Sequence, residues 1–363
     1  MSTARLLMGI ALSLALTAHA EDAQVNVYNW SDYVAETTLK DFTKATGIKV
    51  VYDVYDANEV LETKLLAGGS GYDVVFPSAR PNGERLLKAK LLLALDKKRL
   101  PNYANLDPAI LSALADADPA NKHLVPYMWG TTGIGYNVDK VKKALGPNAV
   151  IDSWSVLFDP VATAKLKSCG ISFLDDEIEA FAAALILKGR DINSAAAADI
   201  ATVAQMYAGV RPNIKYFQSS QYINDLANGD LCIAMGYNGD VLQARDRARE
   251  VKRGVNIRYV IPREGAVRWI DTAAIPIDAP HPNNAHQFIN YLLDPKVIAA
   301  ISNHVSYANA NSASKPLLDP AVRNDPGIYP PPAVEAKLKT TRVHSAADKR
   351  LRVRAWTKIK TGR

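Results

Sequence analysis

Short apolar runs with a two-residue period alternate with longer runs of helical period along nearly the whole chain. Residues 25–34 (VNVYNWSDYV) begin as an alternating strand and end in a polar–aromatic loop, with a helix predicted from about Glu36. Residues 48–54 read as a β-branched strand, 58–67 as an amphipathic helix closed by a glycine cluster, and 72–76 as a buried strand ending at Pro77 and Ser78. Ser78 stands either as a ligand donor or as the cap of a helix following Pro81. Residues 123–137 are apolar, extended and punctuated by glycine, which suits a crossing into a second lobe. The glycines at 130–135 lack the ending of a phosphate loop. Residues 165–176 read as a strand ending in acids, and Glu177-Ile178-Glu179 opens an apolar helix. A further helix is predicted from Asn193 or Ser194. Residues 221–228 form a short helix, 231–236 a buried strand ending in Tyr237-Asn238-Gly239-Asp240, and a helix follows. Residues 255–261 read as a strand crossing back to the first lobe. On a strand at 267–272, Trp269 and Asp271 point to one face. A helix at NNAHQFINYLL precedes residues 302–310, which carry Tyr307. Regular alternation of this kind argues for α/β architecture.

The first twenty residues fall outside this pattern. Arg5, an apolar run at 6–16 too short to span a bilayer, and Ala18-His19-Ala20 have the form of a cleaved export signal. The mature chain is then expected to start near Glu21 and to be exported.

The net charge of +6 is misleading as a whole-chain figure. Residues 336–363 hold ten Lys or Arg against Asp348 alone, a tail of +9, so the remaining chain carries −3. The tail reads as a solvated helix face whose Leu351, Ala355, Trp356 and Ile359 pack on the body, not as a nucleic-acid site. The two cysteines, Cys169 and Cys232, are either a disulfide or two buried thiols.

Separate loops bring Trp30 with Asp32, Tyr237 with Asp240, Trp269 with Asp271, and Tyr307. A desolvated ammonium group needs a carboxylate partner, and aromatic faces add cation–π attraction and cover methylenes. Acids at both ends with aromatics between describe a slot for a long dication. Catalysis finds little support: the five histidines beyond the leader are scattered and no HExxH is present. A binding protein for another small cation, a sugar or a metal ion is the alternative, as is a receptor component that senses the same dication. A sugar would call for Asn, Gln and Arg, and iron for paired tyrosines with a histidine.

The strings YNWSDY, NEVLETKLLAGGSGYDVVFPS, VPYMWGTTGIGYNVDKV, KLKSCGISFLD, SSQYINDLANGDLCIAMGYNGDV, VIPREGA, HVSYANAN, DPGIYP and AWTKIK resemble the periplasmic polyamine-binding proteins of ABC transporters, over essentially the whole mature chain. That resemblance implies a type II periplasmic-binding-protein fold, two lobes closing about a hinge on a ligand in the cleft between them. It divides the chain into 21–130 plus 258–315 and 131–257 plus 316–363. It implies an aromatic box of Trp30, Tyr33, Tyr237, Trp269 and Tyr307, with Ser31 and Ser78 as polar contacts. Asp32 would face one amine, Asp240 and Asp271 the other, and Glu179 matches the family's glutamate after FLD. Cys169 and Cys232 stand where the family has a disulfide. Tyr237 replaces the Trp usual in putrescine-preferring members and Trp269 the usual Phe, so the box is re-cut. The implied protein is a periplasmic monomer without cofactor, metal or nucleic-acid partner, carrying putrescine or spermidine to an inner-membrane permease.

Overall fold

One long strand organises the architecture of this computed structural model, which describes residues 21–252 and 254–362. The expected signal peptide lies outside the described residues. The strands are β1 Gln24–Trp30, β2 Lys49–Tyr55, β3 Val74–Val75, β4 Val125–Asn137, β5 Ile171–Phe173, β6 Tyr216–Phe217, β7 Ile233–Tyr237, β8 Ile257–Val260, β9 Arg268–Ala273 and β10 Ala308–Asn309. A parallel sheet has the order β2-β1-β3. β4 then runs through two further sets of pairings. Residues 125–131 pair antiparallel with β9, and Met128 and Trp129 with β10. Residues 132–137 pair with β7 and β8, and β7 continues in parallel to β5 and β6.

Each half of β4 is therefore buried in a different core. The first core holds Val25, Val27, Phe42, Val74, Phe76, Phe288 and Ile301, with a flanking cluster around Leu61 and Leu86. The second holds Trp154, Phe173, Phe181, Tyr207, Tyr222 and Ile233. Tyr237 and Trp269 pack against both. The glycines of β4 make room for side chains that cross it. A Cβ at Gly130 would strike the Trp269 ring, and one at Gly135 would strike Val241. Their role is steric, because only a bare backbone admits neighbours this close.

Several local expectations are corrected. Residues 165–169 are helical, the end of Pro160–Leu166 and a single tight turn at Lys167–Cys169, so the strand there is only β5. The helix expected from Asn193 or Ser194 begins at Ala197. β8 pairs with the distal half of β4, so the chain returns to the first core after β8 and not through it. Ser78 precedes the helical turn Ala79–Gly83, but its side chain makes no capping hydrogen bond there and donates to Asp271 instead. In the last helix, Ala346–Thr361, Trp356 and Ile359 are buried as expected, but Leu351 is exposed and Arg352 is wholly buried. Arg352 donates to the carbonyls of Ile192 and Ser194, pairs with Glu177, and lies 4.6 Å from the centre of the Phe181 ring. One of the tail's ten cations is thus a core residue, tolerated because its donors are satisfied. Cys169 and Cys232 form a disulfide that ties the segment before β5 to the start of β7. Among the described residues, no helix is long and apolar enough to cross a membrane.

Candidate functional site

The ends of β1, β7 and β9 converge on a single cavity between the two cores. Of the residues expected at the site, Trp30, Ser31, Tyr33, Ser78, Glu179, Tyr237, Asp240, Trp269, Asp271 and Tyr307 line it. The cavity measures about 70 Å³. A water needs about 10–15 Å³ of such volume, so the space suits roughly five to seven water-sized groups in a row or cluster.

β9 delivers Asp271 and Trp269 on one face, as alternation requires. Asp271 is buried and accepts hydrogen bonds from the Tyr33 hydroxyl (2.9 Å) and Ser78 Oγ (2.6 Å). Ser78 is itself fixed by Asn58, whose amide donates to Oγ and whose oxygen accepts from the Ser78 N–H, both at 3.1 Å. Burial pushes the Asp271 carboxyl up to about 7, the two hydroxyl donors pull it down, and nearby Asp240 pushes it up again.

Asp240 lies in the first turn of the helix Asn238–Glu250, after β7. Its carboxylate accepts from the hydroxyls of Tyr307 (2.6 Å) and Tyr222 (2.7 Å). The Tyr307 contact links the two cores. Gly239 is required there, since a Cβ would occupy the Tyr307 ring. Burial raises Asp240 to about 6 against those two donors, with Asp32 raising it and Arg247 lowering it.

The helix Glu177–Leu187 adds two more acids. Asp176 is its N-cap, accepting from the N–H groups of Ile178 (2.8 Å) and Glu179 (3.1 Å). Glu179 is buried, and its Oε2 has no hydrogen-bond partner among the described residues. Burial raises both carboxyls; Asp176 and Asp271 push Glu179 up further, while Glu59 and Glu177 push Asp176 up against the backbone N–H groups of Ile178 and Glu179. An orphaned buried carboxylate oxygen is costly unless something charged or protic fills the gap. Tyr237 lies within the field of all four acids.

Aromatic rings form the walls. Trp269 meets Tyr237 edge-on at 5.8 Å and Tyr307 at 5.4 Å. Tyr33 meets Tyr307 at 5.2 Å. Trp30 is tilted on Tyr55 and held by its indole N–H on the Phe76 carbonyl at 2.8 Å.

Asp32 is placed differently. It does not line the cavity; its half-exposed carboxylate accepts from the Arg247 guanidinium at 2.9 Å, joining the β1 loop to the helix Asn238–Glu250 of the second lobe. Its backbone is left-handed, with φ of 54°, a conformation Asp tolerates better than most residues. The notion that Asp32 faces an amine has no geometric support here.

Sequence reasoning missed Tyr222, Asp176, Asn58 and Arg80. An Asp directly before a helix start is an N-cap signal, which could have singled out Asp176. Tyr222 and Asn58 act through partners 18 and 20 residues away, and nothing local announces them.

The family model of bacterial extracellular solute-binding proteins matches residues 37–330. The putrescine-binding periplasmic protein PotF of Escherichia coli is 55% identical over 96% of this chain and 94% of its own. The putrescine-binding periplasmic protein SpuD of Pseudomonas aeruginosa is 49% identical over 99% and 98%. Among solved structures, a putative spermidine/putrescine ABC transporter protein from Listeria monocytogenes superposes with a TM-score of 0.83 at 29% identity, covering 94% of this chain and 100% of that one. These relatives are transport proteins, and the fold they share is the two-lobed type II periplasmic-binding fold. With a cleft of this form between its two cores, the chain belongs to the bacterial extracellular solute-binding proteins.

Proposed function

We propose that this protein captures a short polyamine, putrescine in the first place, between its lobes and delivers it to an ABC permease of the inner membrane. The observation that carries the reading is the set of four acids lining one cavity, Glu179 and Asp271 buried and Asp176 and Asp240 half-buried, among aromatic rings. Their raised proton affinities mark a site short of positive charge. A diamine supplies two ammonium groups to the acids and a methylene chain to the rings, and its size suits the cavity. The naming of relatives from two organisms as putrescine-binding proteins supports the same ligand class.

In this reading Asp271, with Tyr33 and Ser78, takes one ammonium, while Asp240 and the Asp176–Glu179 pair share the other end. Trp30, Ser31, Tyr237, Trp269 and Tyr307 enclose the chain. Asp32 with Arg247 ties the β1 loop to the second lobe. Closure is favoured only by contacts present in the closed form, and without a cation the ionised acids oppose it. The lobes are taken as residues 21–130 with 268–315, and 131–267 with 316–363. The return boundary is set ten residues later than the sequence suggested because β8 pairs with the distal half of β4. The protein is expected to act as a periplasmic monomer after removal of its leader.

Isothermal titration of ligand-free protein with putrescine, cadaverine, spermidine, spermine, maltose and arginine tests the reading. Heat with polyamines alone supports it. Binding of maltose or arginine with no response to any polyamine overturns it.

A further inference from the structure

The amine slot does not end at a solid wall. Arg80, Trp269 and Thr341 line the site cavity, and the same three line a second cavity behind Trp269, with Leu114, Asp116 and Ile270. This second cavity measures about 160 Å³, larger than the first. Volume for a longer ligand is therefore available, and Arg80 stands at the junction.

The guanidinium there is poorly matched. Its Nε is buried with no hydrogen-bond partner among the described residues. The paired carboxylate oxygens lie at 3.7 Å (Glu84) and 4.0 Å (Asp116), beyond hydrogen-bond length. Nor is Arg80 the internal counter-ion of the site. The acids feel burial and one another, and the one cation prominent at Asp240 is Arg247. A guanidinium stays charged at any physiological pH. Its positive charge is consequently presented to whatever extends past Thr341, in a partly buried place where charges are weakly screened.

We infer that Arg80 is a specificity-determining residue: its guanidinium bars a third ammonium group from the passage behind Trp269, so that the protein takes a diamine and discriminates against a triamine. The inference rests on the polyamine reading above and deepens it. Length alone is not what Arg80 excludes. A chain of the triamine's length without the terminal amine meets a cation with methyl hydrogens, whereas the triamine meets it with like charge.

The test measures dissociation constants for putrescine, spermidine and N-propylputrescine, which is spermidine without its terminal primary amine, on the wild type, Arg80→Gln and Arg80→Lys. The readout is the spermidine-to-putrescine ratio, which a general loss of folding or of the site does not shift in one direction. Arg80→Gln is expected to lower that ratio about tenfold or more, and Arg80→Lys to leave it near the wild-type value. On the wild type, N-propylputrescine is expected to bind more tightly than spermidine by a comparable factor. An unchanged ratio in Arg80→Gln overturns the inference while the polyamine reading stands. Equal lowering by Gln and Lys also overturns it, since the barrier would then be steric. Binding of none of the three ligands to the wild type overturns this inference and the polyamine reading together.

Discussion

Asp240 and Asp271 are held alike, each by two hydroxyl donors that leave half of the carboxylate's accepting capacity unused. An ammonium group is the natural occupant of the rest. Replacing either by Asn keeps the shape and removes the charge. Each of Asp240→Asn and Asp271→Asn is expected to cost about 2–4 kcal/mol of putrescine binding, roughly 30- to 1,000-fold in dissociation constant by titration calorimetry. Unchanged affinity in both would remove the proposed anchors. Asp32→Asn belongs to another class. Its ion pair with Arg247 is partly exposed, so the expected loss is at most about 1 kcal/mol, or about fivefold. Trp269→Ala strips a wall that Tyr237 and Tyr307 only partly replace. A loss of about tenfold is expected from cation–π attraction and chain contact.

At the scale of elements, two helix N-termini and one strand deliver the acids, and their electrostatics set a pH dependence. Helix N-termini favour anions, yet burial dominates at Asp176, Glu179 and Asp240, and at Asp271 on β9. Unfolded Asp and Glu titrate near pH 4, whereas folded Asp240 and Asp271 titrate near 6 and 7. The folded, ligand-free protein therefore binds more protons than the unfolded chain between pH 4 and about 7. The contribution of these groups to its stability is full below pH 4 and is lost as pH rises through that window. Ligand binding should release protons near pH 6, because ammonium groups favour the ionised carboxylates. Titrations at pH 6 in buffers of different ionisation enthalpy measure this directly; buffer-independent heat would contradict it.

The same elements show what was legible beforehand. β1, β7 and β9 with the residues after them were readable because alternation and aromatic–acid spacing are local signals. So were Cys169 and Cys232 as a pair. Residues 165–169 misled because a short amphipathic helix and a buried strand share a brief apolar run. Arg352 was read as a solvated charge because burial of a cation depends on Ile192, Ser194 and Glu177, far away in sequence. Asp32 sat in the right loop, but its direction is set by a left-handed backbone and by Arg247, neither of which spacing reveals.

For the molecule as a whole, β4 is the continuous element between two separately buried cores, and Tyr307 on Asp240 and Arg247 on Asp32 bridge them. The second lobe carries the disulfide, with a separation of 63 residues. Reduction is expected to lower its unfolding free energy by roughly 4 kcal/mol in the chain-entropy picture, measurable by urea unfolding with and without reductant. Such a lobe still presents its acids, so reduced protein that remains folded should retain binding. The central claim is that a diamine is the cation this cleft lacks. Its most direct test is thermal unfolding of ligand-free mature protein at pH 7.5, with and without putrescine at 100 times its dissociation constant. The account predicts about 2.7 kcal/mol of added stability, a rise of about 4 °C for a chain of this size, which is largely lost in the Asp240→Asn, Asp271→Asn double variant at the same concentration. An unmoved transition in the wild type, or an equal rise in the double variant, would contradict it.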